Sequence, residues 1–396
     1  MKKYEELLNR ELECECGRKH FVPIKEVDFG FKPDQIGAIV KRLVDGNALL
    51  VVVDHHTDEQ INDQVVGILR EEGYDISVIR FMDTKLVPDE RAVGAILMES
   101  MRNTKGIVAI GSGTINDLAR FVGSRMDCPV ISIATAPSMD GYAAAGSSLV
   151  VKGAKKTLKG VPVTAIYGDL DVVAGAPYEM IQAGFGDIIG KKTSLADWAL
   201  SRVVTGEYWC DDIVSLVEDA ADACIENGEA IAFREREAIE KLIDALVLSG
   251  IAMSLADDTR PASGGEHLIS HYMVMKDIEK GKIIPSHGIT VAFGTLVVSS
   301  LYEFLMNHPV FKARDDAAEI VEAIHPYLPS VKQTEEWLNV IGLSLEPSGY
   351  EVDKTLLREL VTNAGFIRDR FTIFTFLNQL HLLDEAADHV VRRWYP

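Results

Sequence analysis

The chain has 396 residues, 47% hydrophobic and 25% charged, and its 40 Lys and Arg against 60 Asp and Glu leave a formal net charge of −20. So acidic a chain repels duplex nucleic acid and anionic lipid, which excludes both as general partners. The length predicts two domains or three, with enough chain to bury a sizeable core, and the composition excludes a disordered polymer.

The first residues, MKKYEELLNRELE, alternate charge and contain no apolar stretch, so they are not read as a signal peptide. Cys14, Cys16 and His20 (CECGRKH) superficially suggest a metal knuckle. No second cysteine pair lies nearby in the sequence, and the simpler reading is a β-hairpin turning at Gly17. Cys128, Cys210 and Cys224 read as core fillers. Five sparse cysteines favour a reducing, cytoplasmic compartment.

From residue 47 to residue 170, short β-branched runs alternate with amphipathic stretches. The predicted strands are 47–54, 75–81, 106–111, 129–135 and 164–170. Between the first two, Ile61, Val65, Ile68 and Leu69 follow a helical period over Asp58–Gly73. This alternation indicates βαβ units and a parallel sheet. From about residue 175 the β-runs stop and helical patterns follow at Asp212–Phe233, Glu235–Ala256, Gly264–Lys280, Gly288–Met306 and Asp315–His325. The uncharged run Gly288–Tyr302 is too short for the ~18–20 residues of a membrane span and reads as a buried helix. The expected organisation is an α/β domain over residues 1–172 and an all-helical domain over residues 173–396. No repeat or low-complexity linker separates them, so a tight junction of the kind that holds ligands is expected.

In the α/β half, GIVAIGSGTINDLARF (106–121) is a strand, a Gly-Ser-Gly turn and a helix. Such a turn lets backbone N–H groups approach a pyrophosphate at a helix N-terminus, although it can also be a plain structural turn. It departs from the dinucleotide fingerprint at Asn116, which stands where a third glycine belongs. Asp54 closes the first strand and is placed either to bind a ribose hydroxyl, disfavouring a 2′-phosphate, or to be a turn residue. The loop TAPSMDG (135–141) follows another strand and offers Thr135, Ser138 and Asp140 at the sheet's carboxyl edge, where ligands of open α/β sheets bind. A self-satisfied polar turn is the alternative.

The helical half carries Asp187 in AGFGDIIGKK, the i, i+4 pair His267 and His271 in SGGEHLISH, and His287 in PSHG. One carboxylate with imidazoles suits a borderline divalent ion with an open coordination position. Asp187 could instead cap a helix, and the histidines could be capping or surface groups. Lys191 lies four residues after Asp187, on the same helix face, with Lys192 beside it. One of the two would contact a substrate phosphate or order the ligand carboxylate; a solvated lysine pair is the alternative.

Taken together, GSGTIND, TAPSMDG, FGD followed by KKTSLADW, SGGEHLISH and PSHG resemble the iron-containing alcohol dehydrogenase and dehydroquinate synthase superfamily. Within it the chain looks most similar to the sn-glycerol-1-phosphate dehydrogenase branch first linked to arabinose operons. The resemblance runs over about residues 30 to 300. It implies a Rossmann-like N-terminal domain, an all-helical C-terminal domain, and metal and substrate held in the cleft.

The resemblance further implies metal ligands at Asp187, His267 and His287, substrate contacts at Asp140, Asp187, His271 and Lys191, and catalytic roles for His271 and Asp187. Gly113, Thr114, Ile115, Asn116 and Asp117 fall on the pyrophosphate turn. Thr135, Ala136, Pro137 and Ser138 fall on the nicotinamide-side loop, and Asp54 falls near the adenosine ribose. Ala144 stands where relatives often carry a cofactor-touching serine.

The implied reaction is reversible reduction of dihydroxyacetone phosphate to sn-glycerol 1-phosphate by NADH or NADPH, with one Zn²⁺ or Ni²⁺ per subunit, supplying a glycerophospholipid or ether-lipid precursor. A cytoplasmic homo-oligomer, a dimer or larger, is implied, with no nucleic-acid or membrane partner. The rival readings are a glycerol dehydrogenase-like polyol oxidoreductase, a dehydroquinate-synthase-like lyase and a catalytically inactive binding protein. Such a function requires the neighbourhood of an anionic substrate to be a local positive exception on an acidic protein.

Overall fold

A computed structural model of the chain describes residues 4–57, 61–83, 86–282 and 285–396. Two compact units result. The first comprises Met1–Glu13, Lys19–Ile181 and Leu246–Asp257, and the second Cys14–Arg18, Gln182–Ala245 and Asp258–Pro396.

In the first unit, strands β1 (Glu11–Glu13) and β2 (Lys19–Phe21) pair antiparallel. The turn that joins them has Gly17 at φ +80°, where glycine adds no Cβ strain, so the expected hairpin is present. A six-stranded sheet follows from β3 (Glu26–Asp28), β4 (Ala48–Asp54), β5 (Asp75–Phe81), β6 (Gly106–Gly111) and β7 (Val130–Ala134). A second antiparallel hairpin, β8 (Gly146–Val151) with β9 (Ala154–Lys159), precedes β10 (Ala165–Tyr167), the sixth strand of the sheet.

The sheet order is β3-β10-β7-β6-β4-β5 and every pairing in it is parallel. β4 lies between two partners, and its residues Ala48 to Val53 are buried, which is why it reads as an unbroken apolar run. Its Leu49, Val51 and Val53 join Val108, Ile110, Ile131 and Ile133 in one core, each such side chain contributing roughly 1.5–3 kcal/mol by burial.

The sheet's helices are α1 (Ile36–Leu43), α2 (Asp63–Glu71), α3 (Glu90–Glu99) and α4 (Gly113–Met126). Part of the start expected for α2, residues 58–60, lies outside the described residues. The expected strands are all found, within one to three residues at each end. The reading missed β3 and the β8–β9 hairpin. That hairpin turns at Lys152 and Gly153, both with positive φ, and the pair of positive-φ residues matches the right-handed twist of a two-residue turn.

The chain continues through α5 (Tyr178–Thr205), α6 (Asp211–Glu226), α7 (Arg236–Ala256), α8 (Gly265–Glu279) and α9 (His287–Asn307). The expected helix Asp212–Phe233 is interrupted. α6 ends where Asn227 donates its side-chain amide to the Ala223 carbonyl at 2.7 Å, and Gly228 starts a short separate helix. α9 is long and apolar enough to cross a membrane by length and composition, but 83% of its most apolar 18 residues are buried inside the protein. It is the buried helix expected at Gly288–Tyr302. Its Phe293, Val297, Leu301 and Leu305 pack with Leu357, Leu360, Phe374, Leu377 and Val390, so helices after residue 310 complete this core.

Two contacts bring α9 unusually close to its neighbours in the second unit. A Cβ built on Gly288 would lie 1.7 Å from the Ala183 carbonyl oxygen, and one on Gly294 would lie 2.4 Å from the Glu266 carbonyl oxygen. Both obstacles are backbone, so neither can swing aside. Gly288→Ala is therefore expected to push α9 from α5 and to destabilise the protein by about 3 kcal/mol, read as a lower urea midpoint. An unchanged midpoint would show that the helices yield without cost.

Candidate functional site

The close approach of α5, α8 and α9 gathers Asp187, His267 and His287. Their ligand atoms all lie within 4.8 Å of one another. Asp187 sits well inside α5 with no exposed surface, so it is not the cap of a helix. His267 Nε2 is 3.5 Å from Asp187 Oδ1, and the His267 and His287 ring centroids are 5.1 Å apart.

Proton bookkeeping shows which nitrogens face inward. His267 Nδ1 lies 2.7 Å from Glu266 Oε1; a carboxylate accepts, so Nδ1 carries the hydrogen and Nε2 the lone pair. At His287 the Thr290 hydroxyl donates to the His287 carbonyl at 2.8 Å. Ser270 must then donate to Thr290 Oγ1, 2.6 Å away, and accept from His287 Nδ1 at 3.3 Å. His287 too is left with its lone pair on Nε2. One carboxylate oxygen and two imidazole nitrogens, each ring held from behind, form a donor set that fits a divalent metal ion.

The electrostatics describe the ion-free group, in which a proton on His267 Nε2 meets Asp187 where an ion would otherwise stand. Burial pushes the Asp187 carboxyl up, but Lys191, the bond with His267 and the charge of His287 outweigh it and hold it well below the usual carboxylate range. Burial opposes charge on His267, yet its bonds with Asp187 and Glu266 raise its pKa. Glu266 is lowered against its own burial by His267 and by the Gly264 backbone N–H.

Lys191 is fully buried and donates to Asp187 Oδ1 at 2.8 Å and to the Ala262 carbonyl at 3.1 Å. Of the two roles considered for it, this geometry corresponds to ordering the carboxylate. Lys192 turns elsewhere and donates to Asp222 Oδ1 at 2.9 Å. His271, one turn along α8 from His267, stacks against His287 with centroids 5.8 Å apart and planes 16° apart.

Two residues of this network were absent from the sequence reading, although the motifs containing them were noticed. Glu266 accepts from Thr193 at 2.8 Å as well as from His267. Asp197, within LADW, accepts from the Gly265 N–H at 2.7 Å, the Tyr302 hydroxyl at 2.6 Å and the Ile373 N–H at 2.8 Å. It thereby fixes the first turn of α8, the helix that carries His267 and His271.

In the first unit the Gly-Ser-Gly turn leads from β6 into α4. Ser112 is the N-cap but makes no side-chain cap bond, so it does not occupy the N–H groups of the first turn, as an anion-binding turn requires. Asn116, the departure from the fingerprint, is buried and donates to the Gly141 carbonyl at 3.4 Å, tying this turn to the 135–141 loop. Ile115 packs under Gly111. Asp117 accepts from Arg120 and, at 3.2 Å, from the Ser148 N–H; burial raises its pKa despite Arg120. The Ile115 and Asp117 side chains are thus committed to contacts within the protein. Thr114 is partly exposed.

Arg120, another residue the reading missed, is fully buried and donates to the Ala144 carbonyl, and to the Gly146 carbonyl at 2.7 Å. The 135–144 loop is fixed further by the Thr135 N–H donating to the Gly111 carbonyl and by the Tyr142 hydroxyl donating to the Ala136 carbonyl. Pro137 and Ser138 lie between these anchors. Asp140 accepts from Ser249 at 2.9 Å, and the Ala143 carbonyl accepts from Ser254 at 2.9 Å. Asp54 accepts from the N–H groups of His56 and Thr57 at 3.0 and 3.1 Å through Oδ1, which is the turn geometry weighed for it.

Comparison with known proteins gives a consistent picture. Residues 32–177 match the family model described as iron-containing alcohol dehydrogenase. A glycerol-1-phosphate dehydrogenase [NAD(P)+] of Bacillus licheniformis is 33% identical over 375 residues, 93% of this chain and 93% of the relative. One of Pyrococcus horikoshii is 29% identical over 359 residues, 90% of this chain and 93% of the relative.

Among solved structures, a probable glycerol dehydrogenase from Sinorhizobium meliloti superposes with a TM-score of 0.68 at 17% identity, covering 94% of this chain and 97% of that one. An iron-containing alcohol dehydrogenase from Thermotoga maritima gives 0.66 at 17% identity, covering 93% and 99%. These likenesses show the fold.

Burial and the Glu266 charge drive Asp197 up to about 6, against its three hydrogen-bond donors. With a folded pKa above its unfolded ~3.9, its stabilising contribution is complete below about pH 4 and is lost as pH rises through about 6. The stability advantage of the wild type over Asp197→Asn in urea should shrink by roughly 1–2 kcal/mol between about pH 4.5 and about pH 6.5. An advantage constant with pH would overturn this assignment.

Proposed function

The chain belongs to the glycerol-1-phosphate dehydrogenase family, and on that premise we propose that it reversibly reduces dihydroxyacetone phosphate to sn-glycerol 1-phosphate with NADH or NADPH. The observation that carries the chemistry is the convergence of Asp187, His267 and His287, whose ligand atoms lie within 4.8 Å of one another. When bound there, a divalent ion (Zn²⁺ or Ni²⁺) supplies Lewis-acid polarisation of the ketone, and the nicotinamide supplies the hydride.

The chain's own residues do the rest. Glu266 and Ser270 fix the two imidazoles, so donor geometry is set before substrate arrives. Lys191 keeps Asp187 ionised; direct contact with the substrate phosphate would require it to leave that bond. His271 is the proposed proton donor to the product oxygen, and Asp140 a further substrate contact. Gly113 to Asp117 are proposed at the pyrophosphate, Thr135 to Ser138 and Ala144 on the nicotinamide side, and Asp54 at the adenosine ribose. Asp54 there disfavours a 2′-phosphate and so favours NAD over NADP.

On this reading residues 1–172 hold the dinucleotide and 173–396 the metal and substrate. A cytoplasmic dimer or larger assembly making precursor for glycerol-1-phosphate lipids completes the proposal.

The test is NADH oxidation by the purified chain with added Zn²⁺ or Ni²⁺. Turnover of dihydroxyacetone phosphate well above that of dihydroxyacetone is expected; the reverse preference would make it a polyol dehydrogenase. His267→Ala should lose both bound metal and turnover, and a fully active, metal-free His267→Ala enzyme would overturn the site.

A further inference from the structure

The turn between β1 and β2 brings two thiols to a third from a distant part of the chain. Cys14 Sγ lies 3.5 Å from Cys210 Sγ, across 196 residues of sequence. The sulfurs of Cys14, Cys16 and Cys210 all lie within 4.8 Å of one another. Cys210 is buried, as a core filler would be, but it is also the N-cap residue of α6 and so stands at the start of that helix beside the turn. None of the five cysteines is in a disulfide.

The spacing is that of ligands around one ion. Thiolates bound tetrahedrally at about 2.3 Å from Zn²⁺ stand about 3.8 Å apart, whereas a disulfide needs about 2.05 Å and would leave the third thiol unused. The neighbours suit such an ion as well. The Cys16 N–H points to Cys14 Sγ at 3.5 Å, a bond that favours the ionised sulfur. Asp212 Oδ2, 3.2 Å from Cys14 Sγ, is an oxygen donor at the cluster's edge, and the Tyr208 hydroxyl lies 3.2 Å from Cys16 Sγ. Arg18 stacks over the Tyr208 ring at 3.4 Å, which fixes the turn against this group.

We propose that Cys14, Cys16 and Cys210 form a second metal site, separate in its ligands from Asp187, His267 and His287, that takes a thiophilic divalent ion such as Zn²⁺. Each thiol that ligates releases its proton to solvent, and a nitrogen or oxygen donor completes the four-coordinate shell. The ion would staple the 14–18 turn to the start of α6, a structural role that does not depend on the reaction catalysed.

Co²⁺ alone is the probe, added to the full-length, metal-stripped and reduced protein. Sulfur-to-cobalt charge transfer gives a near-ultraviolet band that an Asp/His/His site does not. The wild type and His267→Ala should both show this band, and in His267→Ala it should saturate at one equivalent. Cys210→Ser and Cys16→Ser should each lose it while other Co²⁺ binding persists; the second variant covers any folding defect in the first. Absence of the band in reduced wild type overturns the proposal, as does its persistence in both variants. So does a Cys14–Cys210 disulfide in protein that binds no Co²⁺ after reduction. Neither result bears on turnover of dihydroxyacetone phosphate, so the two readings stand or fall separately.

Discussion

The helical unit depends on two backbones approaching without a side chain between them. At Gly288 the first turn of α9 lies against the Ala183 carbonyl of α5. A methyl group there would collide with backbone, so the approach is set by the absence of one carbon atom. Because Asp187 follows Ala183 by one helical turn and His287 precedes Gly288, this contact also sets the spacing between a carboxylate and an imidazole. Packing and chemistry share one geometric origin, and the nearby contact of Gly294 with Glu266 does the same for α8.

Having closed water out, the same contact leaves buried charge to be balanced. Asp187, Asp197 and Glu266 are all without exposed surface. Isolated, any of them would cost several kcal/mol to bury ionised. Each is met differently: Asp187 by an ammonium, Glu266 by an imidazole and a hydroxyl, and Asp197 by backbone N–H groups and a phenol. In a protein of net charge −20, the buried Lys191 ammonium stands where Asp187 must stay ionised. For Asp197 dipoles alone suffice, and its raised pKa is the consequence.

Much of this was legible in the sequence. A strand flanked on both sides in a parallel sheet must be apolar on both faces, so β4, β6 and β7 announce themselves as β-branched runs. The hairpin at Lys152–Gly153 does not, because Lys-Gly is a weak turn signal and Ala154 to Lys159 is poor in strand formers. Spacing made His267 and His271 a pair, yet the imidazole that groups with His267 and Asp187 is His287, contributed by another helix. Arg120 escaped notice because an arginine in a helix ordinarily reads as a solvated face, whereas here it is sealed in beneath the 144–146 backbone. The partner of Cys14 was hidden for a simpler reason. Local spacing carries no information about a residue 196 positions away.

The first unit is not finished by the N-terminal stretch of the chain. Leu246–Asp257 belongs to it, and Ser249 and Ser254 on that segment hold Asp140 and Ala143. During synthesis, all of α5 and α6 must emerge before the loop after β7 can acquire these partners. A fragment ending near residue 181 would leave that loop unbraced, however complete its sheet. The dehydrogenase therefore cannot be separated at a single cut into two self-sufficient pieces, and its assembly order is written into the return of α7.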